Sequence, residues 1–402
     1  MGARTAAVAV ASAALLAAGC APSPLVPPGV GAAQPATSAA EVSSAGPRSA
    51  AADPVPTPTS CRSVAEGLDE RARVGQLFMV GVSTSGLDET TRSAISLGRV
   101  GSVVLLGNTT SGVDALRGLT AELGSLGTAE VPLLIAADQE GGKVQRLRGD
   151  GFDRIPEATV QGEMAPGELR EASALWGEQL AAAGVHYNLA PVADVVPVDR
   201  QGSNAPVGLL ARNYGNDVAT VSRAVTEFVE GMTEAGIATS LKHFPGLGEV
   251  AANTDFGAAV DDHTTADSAS LDAFRAGIDA GAGSVMVSSA IFSRIDPDVE
   301  GVFSRVIITD LLRSELGFDG VAIADDLGAA KAVSGIPPAD RAVRFLAAGG
   351  DLVINADPAI MADMVDAAAA EAVADPGFAE RVLDSAERVL RLKASVGLVD
   401  CA

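Results

Sequence analysis

From Cys61 onward the chain alternates short apolar runs with longer amphipathic ones. Eight runs have strand length: 77–82, 102–106, 132–137, 186–190, 238–241, 284–288, 320–324 and 351–354. Most are rich in Val, Ile and Leu without alternation, the pattern of parallel strands covered on both faces. Between them lie helix-length segments at 112–124, 166–183, 217–235, 267–280 and 339–348. Gly184, Gly236, Gly281 and Gly349 follow four of these and read as helix C-caps. Eight strands with intervening helices predict an α/β fold, a single (β/α)8 TIM-type barrel spanning 59–402. A doubly wound open sheet would want a Gly-rich phosphate loop after its first strand, and Gly81 and Gly86 do not form one. No repeat of 20–50 residues interrupts the pattern.

The first 58 residues follow different rules. Residues 1–19 carry one charge, Arg4, then an apolar run and the small residues Ala17, Ala18 and Gly19 before Cys20. That is the layout of a signal peptide, too short for the roughly 20 apolar residues of a spanning helix. The cysteine after small residues resembles the lipobox of bacterial lipoproteins, which implies lipidation of Cys20. Residues 20–58 are Pro, Ala, Ser, Thr and Gly with few large apolar side chains, so an extended tether is expected. The expected location is the outer face of the cell membrane, held there through the N-terminal lipid only.

Charge narrows the partners. A formal net charge of −23 disfavours nucleic acid and anionic membrane surfaces as direct partners. Three cysteines fall at 20, 61 and 401. With Cys20 assigned to lipid, Cys61 and Cys401 remain at the two ends of the folded part, and an exported compartment favours a disulfide between them.

In a barrel, chemistry is placed at the C-terminal ends of the strands. Those positions hold Asp138, Gln139 and Glu140 after the third strand and Asp194 after the fourth. Lys242 and His243 follow the fifth, Ser288 and Ser289 the sixth, Asp325 and Asp326 the seventh, and Asn355 the eighth. Carboxylates, a lysine and a histidine at one mouth suit polyol recognition and acid–base work. No metal or other cofactor is expected, since the three histidines form no H-x-x-x-H pair. No G-x-S-x-G nucleophile elbow occurs either.

Four stretches carry a more specific signal: Asp138-Gln-Glu-Gly-Gly-Lys-Val-Gln-Arg146, Asn188-Leu-Ala-Pro-Val-Ala-Asp194, Lys242-His-Phe-Pro-Gly246 and Gly317-Phe-Asp-Gly-Val-Ala-Ile-Ala-Asp325-Asp-Leu327. In order, from about Val74 to Leu392, they resemble glycoside hydrolase family 3. The likeness is greatest to its single-domain bacterial β-N-acetylhexosaminidases, which release N-acetylglucosamine from cell-wall fragments. The resemblance implies that Asp325 is the nucleophile of a retaining mechanism. It implies that Asp138, Arg146, Arg212, Lys242 and His243 hold the sugar hydroxyls. A carboxylate accepts from hydroxyls while Arg and Lys donate to their oxygens, which agrees with those roles. Asp326 reads as a neighbour that orients the loop.

One loop departs from the pattern. The subgroup carries its acid/base as an Asp-x-His pair after the fifth strand. Here Asn253 stands at the aspartate's place, Asp255 at the histidine's, and Leu247 replaces an earlier histidine. Asp255 is the candidate acid/base with Asn253 orienting it, and Glu249 is a second candidate on the same loop. Low aromatic content, 3%, points to a small exo-acting pocket rather than a stacked groove. The expected function is a retaining exo-β-N-acetylglucosaminidase, acting as a monomer on small GlcNAc-containing saccharides of peptidoglycan. A β-glucosidase, a phosphorylase on the same barrel and a weakened sugar-binding lipoprotein are the alternatives.

Overall fold

A computed structural model describes residues 60–128 and 130–402; the predicted signal segment, Cys20 and the predicted tether lie outside them. Eight strands form the wall: β1 (Phe78–Ser83), β2 (Ser102–Leu106), β3 (Leu134–Ala137), β4 (Tyr187–Asn188), β5 (Ala238–Phe244), β6 (Ser284–Val287), β7 (Val321–Ala324) and β8 (Val353–Asn355). Each pairs in parallel with its neighbours in the chain, and β1 pairs with β8. The seam between β7 and β8 is closed by a parallel bridge, Ile323 to Leu352, and by Ala324 N–H donating to the Leu352 carbonyl at 2.9 Å. The chain is a (β/α)8 barrel, as its hydrophobic pattern predicts.

All eight predicted strands are present, and their ends shift for local reasons. The run 186–190 shortens to β4 because Pro191 has no N–H to extend a ladder. The run 238–241 lengthens to Phe244, since Lys242 and His243 are buried in the wall despite their polarity. The principal helices are α1 (Cys61–Gly67), α2 (Glu89–Gly98), α3 (Gly112–Gly124), α4 (Glu168–Ala182), α5 (Val218–Glu234), α6 (Leu271–Asp279), α7 (Pro338–Ala347), α8 (Met361–Ala374) and α9 (Pro376–Ser395). Gly236, at φ 73°, ends α5 in the left-handed conformation that a side chain would oppose. No helix among the described residues is long and apolar enough to cross a membrane.

Two packed layers position the site. Outside the wall, strand and helix side chains form the large core. Inside it, Met79, Val104, Leu134, Tyr187, Met286, Ile323 and Ile354 fill the barrel, and Val389 and Leu392 of α9 join them from below. Helix α9 crosses the lower face, where Ser385 Oγ donates to Asp351 Oδ1 at 2.8 Å just before β8. Lys393 Nζ donates to Gln76 Oε1 at 2.7 Å and to the Pro132 carbonyl at 2.9 Å. Against α9 lies α1, through Arg62 to Asp384 at 2.7 Å and Glu387 at 3.3 Å. Cys61 and Cys401 are bonded there, with Cα atoms 4.8 Å apart across 340 residues. The floor is thus sealed, and only the upper mouth is open to a ligand.

Candidate active site

The upper mouth holds a pocket of about 280 Å³ lined by Asp138, Arg146, Arg212, Lys242, His243, Asp255 and Asp325. Asp325, Asp255 and all five sequence-predicted sugar-binding residues reach this one cavity, while the second acid candidate, Glu249, does not. Its floor is apolar, made by Val104, Leu189, Met286 and Ile354. Asn253, Thr254 and Leu247 complete the wall beside Asp255.

Strand β5 explains how two consecutive residues enter one cavity. Side chains in a regular strand alternate between faces, so Lys242 and His243 should diverge. The β5–β6 register shifts between Lys242 and Phe244, and this irregularity lets both face inward. Lys242 is 2% exposed and its Nζ donates to Asp138 Oδ1 at 2.7 Å and meets Glu140 Oε1 at 2.6 Å. Arg212 binds Glu140 as a fork, Nε to Oε2 at 2.8 Å and Nη2 to Oε1 at 2.7 Å. Its remaining Nη1 donates to the Pro206 carbonyl at 2.8 Å.

Charge compensation decides the state of this cluster. Burial pushes the Glu140 carboxyl up, but the Arg212 and Lys242 charges outweigh it and hold Glu140 far below the usual carboxylate range. Burial alone would lower Lys242, yet Asp138 and Glu140 keep its ammonium above the ordinary value. Glu140, Lys242 and Arg212 therefore keep their charges in one buried cluster.

Histidine 243 is fixed from behind. Its Nδ1 lies 2.8 Å from Asp194 Oδ2, while Asp194 Oδ1 accepts the backbone N–H groups of His243 at 3.1 Å and Leu247 at 2.8 Å. Asp194 thus orients the ring and the start of the β5 loop together, leaving Nε2 3.4 Å from Arg212 Nη2. Asn204, 1% exposed, gathers the rest of that loop. Its amide donates to the carbonyls of Leu247, Gly248 and Val250 at 2.6, 3.0 and 2.8 Å. Gly248 has no alternative, because a Cβ there would lie 1.8 Å from the Val195 carbonyl oxygen.

Asp325 follows β7, its backbone N–H donating to the Val287 carbonyl at 2.9 Å. Burial raises the Asp325 carboxyl above its ordinary value; the Asp255 charge adds to the rise, and His243 opposes it. Asp326 ties the loop at the pocket's edge: its carboxylate accepts from Gly328 and Ala356 at 2.8 Å each and from Ala329 at 2.8 Å. Asn253 Oδ1 accepts the Asp255 N–H at 2.9 Å, which turns Asp255 into the pocket wall. The same loop is fastened to the β7 loop, as Lys331 N–H donates to the Asp255 carbonyl and Ala332 N–H to the Thr254 carbonyl.

The second acid candidate on the β5 loop points elsewhere. Glu249 pairs with Arg200 at 3.2 Å, and both Glu249 and His263 line a separate cavity behind the loop. Sequence reasoning placed Glu140 and Asp194 at strand ends without giving them roles. Glu140 was discernible, being two residues beyond Asp138 and so on its side of the chain. Asn204 lies in a loop with no periodicity and gave no signal.

An apolar floor under a ring of charged and hydrogen-bonding groups, with two carboxylates at the mouth of a (β/α)8 barrel, suits an enzyme of glycosidic bonds. Residues 69–392 match the glycosyl hydrolase family 3 N-terminal domain, and the chain belongs to that family and is a glycoside hydrolase. It is 34% identical over 247 residues to the beta-hexosaminidase of Stenotrophomonas maltophilia (strain K279a), a match covering 59% of this chain and 70% of the relative. Among solved structures it is similar to a beta-N-acetylhexosaminidase from Beutenbergia cavernae DSM 12333, with 49% identity and a TM-score of 0.80 over 81% of this chain and 99% of that one. A family 3 beta-N-acetylglucosaminidase from Paenibacillus sp. str. FPU-7 aligns with 30% identity and a TM-score of 0.76, over 83% of this chain and 63% of that one.

Proposed function

We propose that the protein is a retaining exo-β-N-acetylglucosaminidase that removes terminal GlcNAc from peptidoglycan fragments. The observation that carries this reading is the closed-floored pocket of about 280 Å³ at the upper mouth, which suits one sugar ring and no longer chain. Its apolar floor suits the C–H face of a pyranose, and the polar ring of Asp138, Arg146, Arg212, Lys242 and His243 suits its hydroxyls. The likeness to hexosaminidases supports GlcNAc as the sugar.

In the reaction, an Asp325 oxygen attacks C1 while the C1–O bond breaks and its electron pair leaves on the aglycone oxygen. Asp255 donates its proton to that oxygen. Water then attacks C1 and gives a proton to the Asp255 carboxylate, and the glycosyl–Asp325 bond breaks to restore the free carboxylate. Cys20 carries a lipid and the monomeric enzyme works at the outer face of the cell membrane.

Assaying nitrophenyl N-acetylglucosaminide against the glucoside, with and without phosphate, tests the reading. Faster release from the former, independent of phosphate, is expected. Sugar binding without turnover of either would overturn it.

A further inference from the structure

The chain has eleven phenylalanines, one tryptophan and two tyrosines. Trp176, Tyr187, Tyr214 and eight of the phenylalanines are buried, and Phe152 and Phe303 are partly covered and packed on the core. Phe256 alone stands out, at 82% exposed. A lone exposed apolar side chain needs no explanation in general. This one directly follows Asp255, on the segment that walls the pocket through Asn253, Thr254 and Asp255.

That segment is not loose. Phe256 N–H donates to the Asn253 carbonyl at 3.1 Å, the Asp255 N–H is held by Asn253 Oδ1, and Thr254 and Asp255 are fastened to the β7 loop. The ring is therefore presented from a fixed turn beside the pocket. Pro206 and Leu210 also line the pocket. The pocket holds one ring, so whatever is joined to C1 of that ring must leave past the group that protonates it, and Phe256 is the next residue.

We infer that Phe256 is the platform for the leaving group: its face stacks on the C–H surface of the sugar joined to the residue in the pocket, so the enzyme selects saccharide aglycones over small alkyl ones. This rests on the pocket reading proposed above. It also explains a departure in composition, since in a protein with few aromatics a single exposed ring is enough for one subsite.

The test uses purified full-length protein with Phe256→Ala, Phe256→Leu and Phe256→Tyr. The kcat/KM of each is measured on a GlcNAc disaccharide and on methyl β-N-acetylglucosaminide, whose leaving group has no ring to stack. Losing the ring should lower kcat/KM for the disaccharide about 2- to 10-fold, with the methyl glycoside unchanged. Tyr should keep the wild-type ratio, and Leu should behave as Ala. Equal losses on both substrates, or no loss on the disaccharide, overturns the platform. If wild-type protein cleaves neither substrate, the GlcNAc hydrolase reading fails and binding decides the platform separately. A disaccharide bound more tightly than GlcNAc, with the gain lost in Phe256→Ala, supports it; no gain overturns it.

Discussion

In the proposed reaction Asp325 must be ionised to attack a sugar carbon, yet it is placed where burial and the Asp255 charge both disfavour ionisation. Its side chain cannot be dispensed with in a double-displacement reaction, so Asp325→Ala should lower kcat by at least about 10³-fold, read as product release per enzyme. The raised carboxyl also sets the acid side of the pH profile. A group held above its ordinary value keeps its proton to higher pH, so activity should fall on acidification earlier than an unperturbed aspartate would dictate. Replacing Asp255 by Asn removes one of the charges that raise it. On an activated aryl substrate, the acid limb of kcat/KM should then move to lower pH, and an unmoved limb would show that the two carboxylates do not sense each other. In its proposed role as proton donor, Asp255 should matter by leaving group. Asp255→Ala should cost about 10²–10⁴-fold on alkyl glycosides and much less on nitrophenyl ones, while equal losses would refute an acid role.

Elements hold these residues in register, and the Glu140 cluster shows how much they depend on one another. Glu140→Gln leaves Lys242 and Arg212 buried with less opposing charge, so unfolding free energy should drop by about 3–5 kcal/mol, measured by denaturant titration. A loss below about 1 kcal/mol would mean the cluster contributes no more than a surface pair. The strands were legible because apolar parallel strands leave a continuous signal, and the ends of β3, β5 and β7 followed from it. Pairing among those ends was not legible: nothing in the spacing of Glu140, Lys242 and Arg212 states that they meet. Nor did the pattern foretell that β5 would bring adjacent residues to one side, which depends on its register with β6. Helix α9 hid a different feature, because a lysine in an amphipathic helix ordinarily reads as solvent-facing. Lys393 is fully buried, no carboxylate among the described residues pairs with it, and burial lowers it from 10.5 to about 7. Between those values the unfolded chain binds the extra proton, so this group's contribution makes stability rise from pH 7 to 10.5, by up to about 5 kcal/mol. Thermal melts of Lys393→Met should be higher than wild type at pH 7 and show a flatter rise toward pH 10; a parallel curve would contradict the assignment.

At the scale of the whole molecule, the two ends of the barrel have separate duties. The upper mouth carries polar chemistry, and the lower face is closed by α9, by α1 and by the Cys61–Cys401 bridge. Linking residues 340 apart restricts the unfolded chain, and in the chain-entropy view this stabilises by at most about 5–6 kcal/mol. Reduction, or Cys61→Ser with Cys401→Ser, should lower the melting temperature while leaving kcat/KM at moderate temperature near the wild-type value. A change in kcat/KM without a change in melting would mean that the bridge shapes the mouth. The same arrangement sets an orientation. Ser60 and Ala402 both lie at the lower face, Cys61 N–H donating to the Ala402 carbonyl at 3.2 Å. Whatever holds the barrel by either end, whether a bead, a fused domain or a bilayer, grips it by the base. The attachment points and the saccharide entrance therefore lie at opposite ends of the barrel.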